Sequence, residues 1–223
     1  MVSPVKRIFG GKSSGAIFGC MASDFPLVGN LLWLDFVNTE PVMDGERVDL
    51  LRGLGDLVAW LRAAAGLPAE EARQAGRWEG KAEGQAVLRK ALVLRAALRE
   101  GAERLAEGRA VGERTVAAIN RVLASRPAYR QLIHEGRRWV SRERPASMAP
   151  EHLLVPIAES AAWLLEHGDP SLVRRCEGSS CVLLFYDTTR NRSRRWCSME
   201  GCGSRAKAAA YYRRTRGATR SRR

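Results

Sequence analysis

Two pairs of cysteines constrain this chain more than any other feature. Cys176 and Cys181 form one CxxxxC pair, Cys197 and Cys202 form the other, and fifteen residues separate the pairs. Each pair encloses a four-residue loop, EGSS in the first and SMEG in the second. Two short loops that each present two thiolates suit an ion that wants four soft ligands at tetrahedral corners, Zn²⁺ above all. Gly178 and Gly201 are expected to relax the loop backbone. Val182–Tyr186 reads as a strand leaving the first loop, and Trp196 immediately precedes the second. So small a segment has too little core to fold alone, and a bound metal supplies the difference. Disulfides are one alternative, and free thiols with a redox or iron–sulfur role are another. Zinc held by all four cysteines is the preferred reading, and its role is structural because four protein thiolates leave no open position for catalysis.

The charge follows the cysteines. The 223-residue chain carries a net +13. Residues 171–223 hold fourteen Lys and Arg against three Asp and Glu, whereas residues 21–170 hold twenty against twenty-one. A charge added for solubility alone would be spread evenly, so the concentration in one module points to a polyanionic partner. The positions that would meet it are Arg190, Arg192, Arg194 and Arg195 in the loop TTRNRSRR, then Arg205, Lys207, Arg213, Arg214 and Arg216 in the run RAKAAAYYRRTR. That run is rich in alanine and should be helical. At about 100° per residue, Ala208, Tyr211, Tyr212 and Thr215 share a face expected to pack back on the module or the body. Arg pairs phosphates and reads guanine bidentately.

Upstream, helical periodicity dominates. Phe25–Glu40 reads as a buried first helix or a turn running into one. Asp35 and Asn38 lie three apart within it and share a face. They read as a buried polar pair bracing neighbouring backbone, with a small-ligand contact as the second reading. Amphipathic helices are expected at Gly53–Ala65, Ala69–Ala75, Gln85–Glu107, Gly112–Ser125 and Glu151–His167. Tyr129–Ser141, with Glu135-Gly136 between two apolar runs, carries a β-hairpin signal. His134 falls there as a surface strand residue. His152 and His167 are fifteen apart and do not make an i, i+4 metal pair. The body shows no Gly-rich phosphate loop, no HExxH and no GxSxG, so an enzyme has no constellation to stand on.

The fold class expected is therefore a mainly α N-terminal domain with a small β-hairpin, followed by a small C-terminal zinc-finger module with a basic helix. The domain limits read as a disordered extension at 1–21, the helical domain at 22–168, the zinc finger at 169–216 and a basic tail at 217–223. Met21 is an alternative start. No run of eighteen apolar residues marks a membrane span, and a cytoplasmic location is expected, where thiols stay reduced.

Three stretches carry a resemblance. LDFVNTE at 34–40, LLVPIAESAAWLLEHGDPSLVRRC at 153–176 and CVLLFYDTTRNRSRRWCSMEGCGSRAKAAAYYRR at 181–214 are similar to the CGNR zinc-finger family of bacterial transcription regulators, whose N-terminal portion is the ABATE domain. The resemblance covers about residues 24–216, and its C-terminal part is the specific one. The Cys-Gly-Asn-Arg signature reads Cys202-Gly203-Ser204-Arg205 here, with Ser in place of Asn. Ser caps a helix start as Asn does, so the turn should survive, while any contact the family Asn makes with nucleic acid is open to change. The resemblance implies the four cysteines as zinc ligands, DNA binding through the module, and a body that senses a small-molecule effector or forms a homodimer. The expected function is DNA-binding transcription regulation. The alternatives are an RNA-binding or ribosome-associated zinc protein and a zinc-dependent protein–protein adaptor.

Overall fold

The computed structural model describes residues 25–125, 128–145 and 149–220. The expected extension at 1–21 and the last three residues of the basic tail lie outside them.

The body is built around one short helix, α1 (Leu32–Val37), whose Trp33, Leu34, Phe36 and Val37 are all buried. A helix apolar around most of its circumference has to be enclosed on several sides. It is, by α2 (Leu54–Ala65), α4 (Ala82–Ala106), α6 (Val155–His167) and the late strand β6 (Leu184–Tyr186). The sequence allowed a helix reaching from Phe25, but the chain turns instead at Asn30, whose φ of 62° is left-handed. Asn tolerates that region better than most non-glycine residues. Phe36 lies against Trp60 of α2 with ring centroids 5.2 Å apart.

Short strands β1 (Val42–Met43) and β2 (Glu46–Arg47) form a tight hairpin after α1 that periodicity does not reveal, being too brief to show alternation. Helix α2 ends at Gly66 in the left-handed conformation. Helix α3 (Ala69–Gly76) follows Pro68, and α4 runs to Ala106 before Gly108 turns left-handed. Two buried arginines of α4 grip the segment after α1. Arg95 makes a forked pair with Asp49 at 2.8 and 2.5 Å and reaches Thr39 Oγ1 at 2.9 Å. Arg99 donates to the Val37 carbonyl at 2.6 Å. Helix α5 (Glu113–Leu123) approaches α4 closely at Gly101, where a Cβ would lie 2.7 Å from Thr115 Cγ2.

The expected hairpin is present and longer than the sequence indicated. Strands β3 (Ala128–Glu135) and β4 (Arg138–Pro145) pair antiparallel around a turn at Gly136-Arg137. A single 3₁₀ turn, Pro150–Leu154, leads into α6, which stops at Gly168 as the Gly-Asp-Pro sequence demands. Asp169 caps the next 3₁₀ turn, Pro170–Leu172, by accepting from the Ser171 amide. Strand β5 (Val173–Arg175) then pairs antiparallel with β6. Seven α-helices, three two-stranded sheets and the cysteine-bearing region make up the described residues, in line with the expected fold class.

Two apolar clusters result. The larger fills the helical body and includes Leu184 and Tyr186; the smaller gathers Cys176, Leu183, Phe185, Cys197 and Cys202. Alternate residues of a strand face opposite sides, so β6 sends Leu184 and Tyr186 into one cluster and Phe185 into the other. The zinc module is thus not a separate bead after the body. No helix among the described residues is long and apolar enough to cross a membrane.

Candidate metal centre and nucleic-acid interface

The four cysteine sulfurs converge. One Sγ from each of Cys176, Cys181, Cys197 and Cys202 lies within 4.8 Å of all the others. Cys181 and Cys197 stand 3.8 Å apart and Cys197 and Cys202 3.7 Å. Those separations are far beyond a disulfide bond, and all four thiols are free. A tetrahedral zinc with bonds of about 2.3 Å spaces its sulfurs by roughly 3.8 Å, so the donor set and its dimensions fit the ion.

Backbone amides around the sulfurs favour the thiolate form of Cys176, whereas the neighbouring Cys176 thiol, first, and then burial among the other sulfurs push Cys181 and Cys197 up. The Cys197 amide donates to Cys176 Sγ at 3.2 Å and the Gly178 amide at 3.5 Å. Arg205 donates to Cys202 Sγ at 3.1 Å, and this bond holds the Arg205 guanidinium above its ordinary range. Cys176 is pushed down to about 2, first by the Cys181 thiol and then by the Cys197 thiol. Gly178 serves differently from the expectation. Neither it nor Gly201 adopts a left-handed backbone. A Cβ on Gly178 would meet Cys202 Sγ at 2.9 Å and Cys181 Cβ at 3.1 Å, so glycine is needed for the close approach of the two loops.

The second loop continues directly into the basic helix. Ser198 Oγ accepts from the Gly201 amide at 3.0 Å, a single π-type turn spans Met199–Gly203, and α7 (Ser204–Arg220) begins on the next residue. Ser204, at the signature position, donates its hydroxyl to the Met199 carbonyl at 3.0 Å. The turn is therefore closed with Ser in place of Asn. Helix α7 does not fold back as expected. Tyr211 and Tyr212 are 59% and 65% exposed, and the helix packs chiefly against the turn that launches it. The less exposed side is Ala206 and Ala210 instead.

The arginines divide into groups. Arg190 is exposed and has no ion pair among the described residues, and the same holds for Lys207, Arg213 and Arg214. Arg192 pairs with Asp169 at 3.3 Å and Arg195 with Glu177 at 2.5 Å, both on the surface. Pairs of that kind are worth about 0–1 kcal/mol, so a phosphate can compete for either guanidinium. The side chain of Arg216 lies outside the described residues. Arg194 departs from the expectation. Its guanidinium turns inward, 4.1 Å from the Phe185 ring centre, and donates to the carbonyls of Val28, Trp196 and Cys197. Burial pulls it below its ordinary range. These contacts commit the Arg194 Nε and Nη2 to bracing the loop.

Asp187, which sequence reasoning passed over, organises the same loop. It is buried and accepts from the Thr189 amide, the Thr189 hydroxyl and the Arg194 amide at 2.9, 2.6 and 2.9 Å. Burial is the largest influence and pushes its carboxyl up, but the hydrogen bonds led by Thr189 hold it below the usual range. An Asp followed two residues on by Thr is the local signal that could have identified it.

The Asp35–Asn38 pair sits where α1 meets β6. Asn38 is fully buried, and its amide exchanges two hydrogen bonds with Leu184. Asp35 Oδ1 accepts from the Gly29 amide at 2.7 Å. Burial pushes the Asp35 carboxyl up to about 7, against the pull of the Gly29 and Val28 amides and of Arg194. Asn30 and Gly29 complete the joint: Asn30 Nδ2 donates to the Tyr186 carbonyl at 2.9 Å, and the Tyr186 amide to the Gly29 carbonyl at 2.8 Å. Of the histidines, His134 is exposed on β3 against Trp139, as expected, and none joins the cysteine cluster.

Comparison with known families agrees with this geometry. Residues 30–168 match the ABATE family, described as "Putative stress-induced transcription regulator". Residues 173–215 match the CGNR zinc finger. No curated protein matches the chain. Both families are described by regulation or metal binding and not by a reaction. The four-cysteine cluster and the zinc-finger match together make zinc the metal of this site. The chain belongs to the ABATE family and carries a CGNR zinc finger.

Proposed function

We propose that this protein is a DNA-binding transcription regulator in which Cys176, Cys181, Cys197 and Cys202 hold one zinc ion and α7 carries the main DNA contacts. Zinc, when bound, cross-links the two cysteine loops through four thiolates. The observation that carries the reading is the direct passage from Cys202 through one turn into an exposed basic helix. Fixing the loops fixes the direction in which that helix leaves. Arg205, Lys207, Arg213 and Arg214 on α7, with Arg190, Arg192 and Arg195 on the loop that precedes the second cysteine pair, are the cations for phosphates and base edges. Alanines between them leave the helix narrow enough for close approach to a groove. Arg194 and Asp187 keep the loop in shape without touching DNA.

The body, residues 22–168, is the sensing or dimerising half, and residues 169–216 are the reading half. The protein acts in the cytoplasm. The joint at Asn30, Asp35 and Asn38 is the route by which a change in the body reaches the module.

Selection from a random duplex library by the zinc-loaded chain tests the function. Enrichment of a defined sequence, lost when a chelator strips the metal, is expected. Enrichment of nothing from duplexes, with tight binding to structured RNA, would replace this reading with the RNA one.

A further inference from the structure

The β3–β4 ribbon has no evident task in the fold. Its strands pair along all eight positions, from Ala128 opposite Pro145 to Glu135 opposite Arg138. Among the described residues, no other element makes more than slight contact with either strand. Leu132 is 62% exposed and Trp139 68%. A two-stranded ribbon standing alone is marginally stable in water, and exposed large apolar groups on it mark a contact surface. Cross-strand pairs hold it together: Ile133 opposite Val140, and His134 edge-on to Trp139 at 4.9 Å between ring centres.

Charge decides what the surface fits. The segment 128–145 contains Arg130, Arg137, Arg138, Arg142 and Arg144 against Glu135 and Glu143, whereas the rest of the body is not basic. Arg137 and Arg138 sit exposed at the turn, with Trp139 next to them. A second copy of the chain would bring a like-charged ribbon to it. A polyanion would be complementary. The ribbon's shape selects among polyanions. The B-DNA major groove, about 12 Å wide, admits a two-stranded ribbon, while the deep, narrow major groove of A-form RNA does not. Eight residues at about 3.4 Å each give a ribbon long enough to lay its turn into a groove while its base stays on the body.

The geometry points to the β3–β4 ribbon as a second duplex-DNA contact, with Arg137 and Arg138 on phosphates and Trp139 and Leu132 against the sugar and base edges. It rests on the DNA-binding reading but uses none of the zinc module's residues. Two elements from separate parts of the chain would then embrace one duplex, giving a longer footprint than α7 alone can make.

The experiment is duplex binding by the full zinc-loaded chain, followed by fluorescence anisotropy across a salt series, for the wild type, Arg137→Ala with Arg138→Ala, and Trp139→Ala. Thermal unfolding of each variant checks the fold, which the double variant at the exposed turn should leave unchanged, whereas Trp139→Ala removes the contact with His134 and should lower the unfolding temperature slightly. The double variant should bind roughly tenfold more weakly and lose about 1.8 from the salt slope, at about 0.9 per phosphate contact. Trp139→Ala should weaken binding with the slope unchanged. A double variant equal to the wild type in affinity and slope overturns the ribbon contact and leaves the zinc-module reading intact. A wild type that binds no duplex overturns both. If Trp139→Ala instead turns a dimer into a monomer in sedimentation without touching DNA affinity, the ribbon is a subunit interface and the DNA contact is overturned. If the arginines matter only on an RNA hairpin, the duplex assignment fails.

Discussion

Asn38 and Leu184 are 146 positions apart in the chain, yet the Asn38 amide exchanges two hydrogen bonds with the Leu184 backbone, donating at 2.8 Å and accepting at 2.9 Å. The side chain does what a neighbouring strand would do for the edge of β6 that β5 does not cover. Gly29 and Asn30 treat Tyr186 the same way. Helix α1 is thereby fastened to the strand whose middle residue, Phe185, packs among the cysteines. The family's short N-terminal motif and its zinc finger are two sides of one joint.

Asn38→Ala leaves the Leu184 N–H and C=O buried and unpaired. At about 1–3 kcal/mol for each unsatisfied group, the loss should be roughly 3 kcal/mol in urea unfolding of the zinc-loaded protein. A loss below about 0.5 kcal/mol would mean that water or a shifted backbone replaces the amide easily.

Phe185 lies between the Arg194 guanidinium and the cysteine loops. Phe185→Ala should cost about 3–5 kcal/mol and speed the transfer of zinc to a chelator. Unchanged release kinetics would show that the smaller cluster does not support the metal site.

Cys202→Ser removes one thiolate from a closed set of four. Elemental analysis should fall from about one zinc per chain to well below half, while the body's helical circular dichroism is retained. Full zinc content in this variant would exclude Cys202 as a ligand.

The Asp35 carboxyl, held at about 7 in the folded protein against an ordinary 3.8, prefers to be protonated there. The fold gives up stability as pH rises from the unfolded value through the folded one, and the loss is complete above it. Between pH 6 and pH 8 the difference is about 1 kcal/mol. Wild-type stability should fall relative to Asp35→Asn by that amount over the same interval, read from urea midpoints at the two pH values. Parallel behaviour of the two proteins would place the Asp35 carboxyl in an ordinary environment.

Several elements of this structure are legible in the sequence because their cause is local. Helices α2 to α6 follow from 3.6-residue periodicity, with α2 ending at a left-handed Gly66 and α4 just before a left-handed Gly108. The cysteine cluster follows from paired spacing. What stays hidden depends on contacts far apart in the chain. Nothing local says that Arg194, one arginine in a run of basic residues, turns inward onto Phe185 and three carbonyls. Nor does a three-residue strand announce that its alternate side chains serve two cores. Composition identifies helix α7 but not its packing face, because the tyrosines' exposure depends on where the second cysteine loop aims it.

The central claim is that the metal-held helix α7 carries DNA binding. Duplex affinity measured for the wild type and for Arg213→Ala with Arg214→Ala, each with zinc and after chelation, tests it most directly. With zinc, the double variant should bind roughly tenfold more weakly, with a salt slope smaller by about 1.8. After chelation, the wild type should lose sequence preference and most of its affinity. Equal binding by both proteins, with or without zinc, would contradict the account.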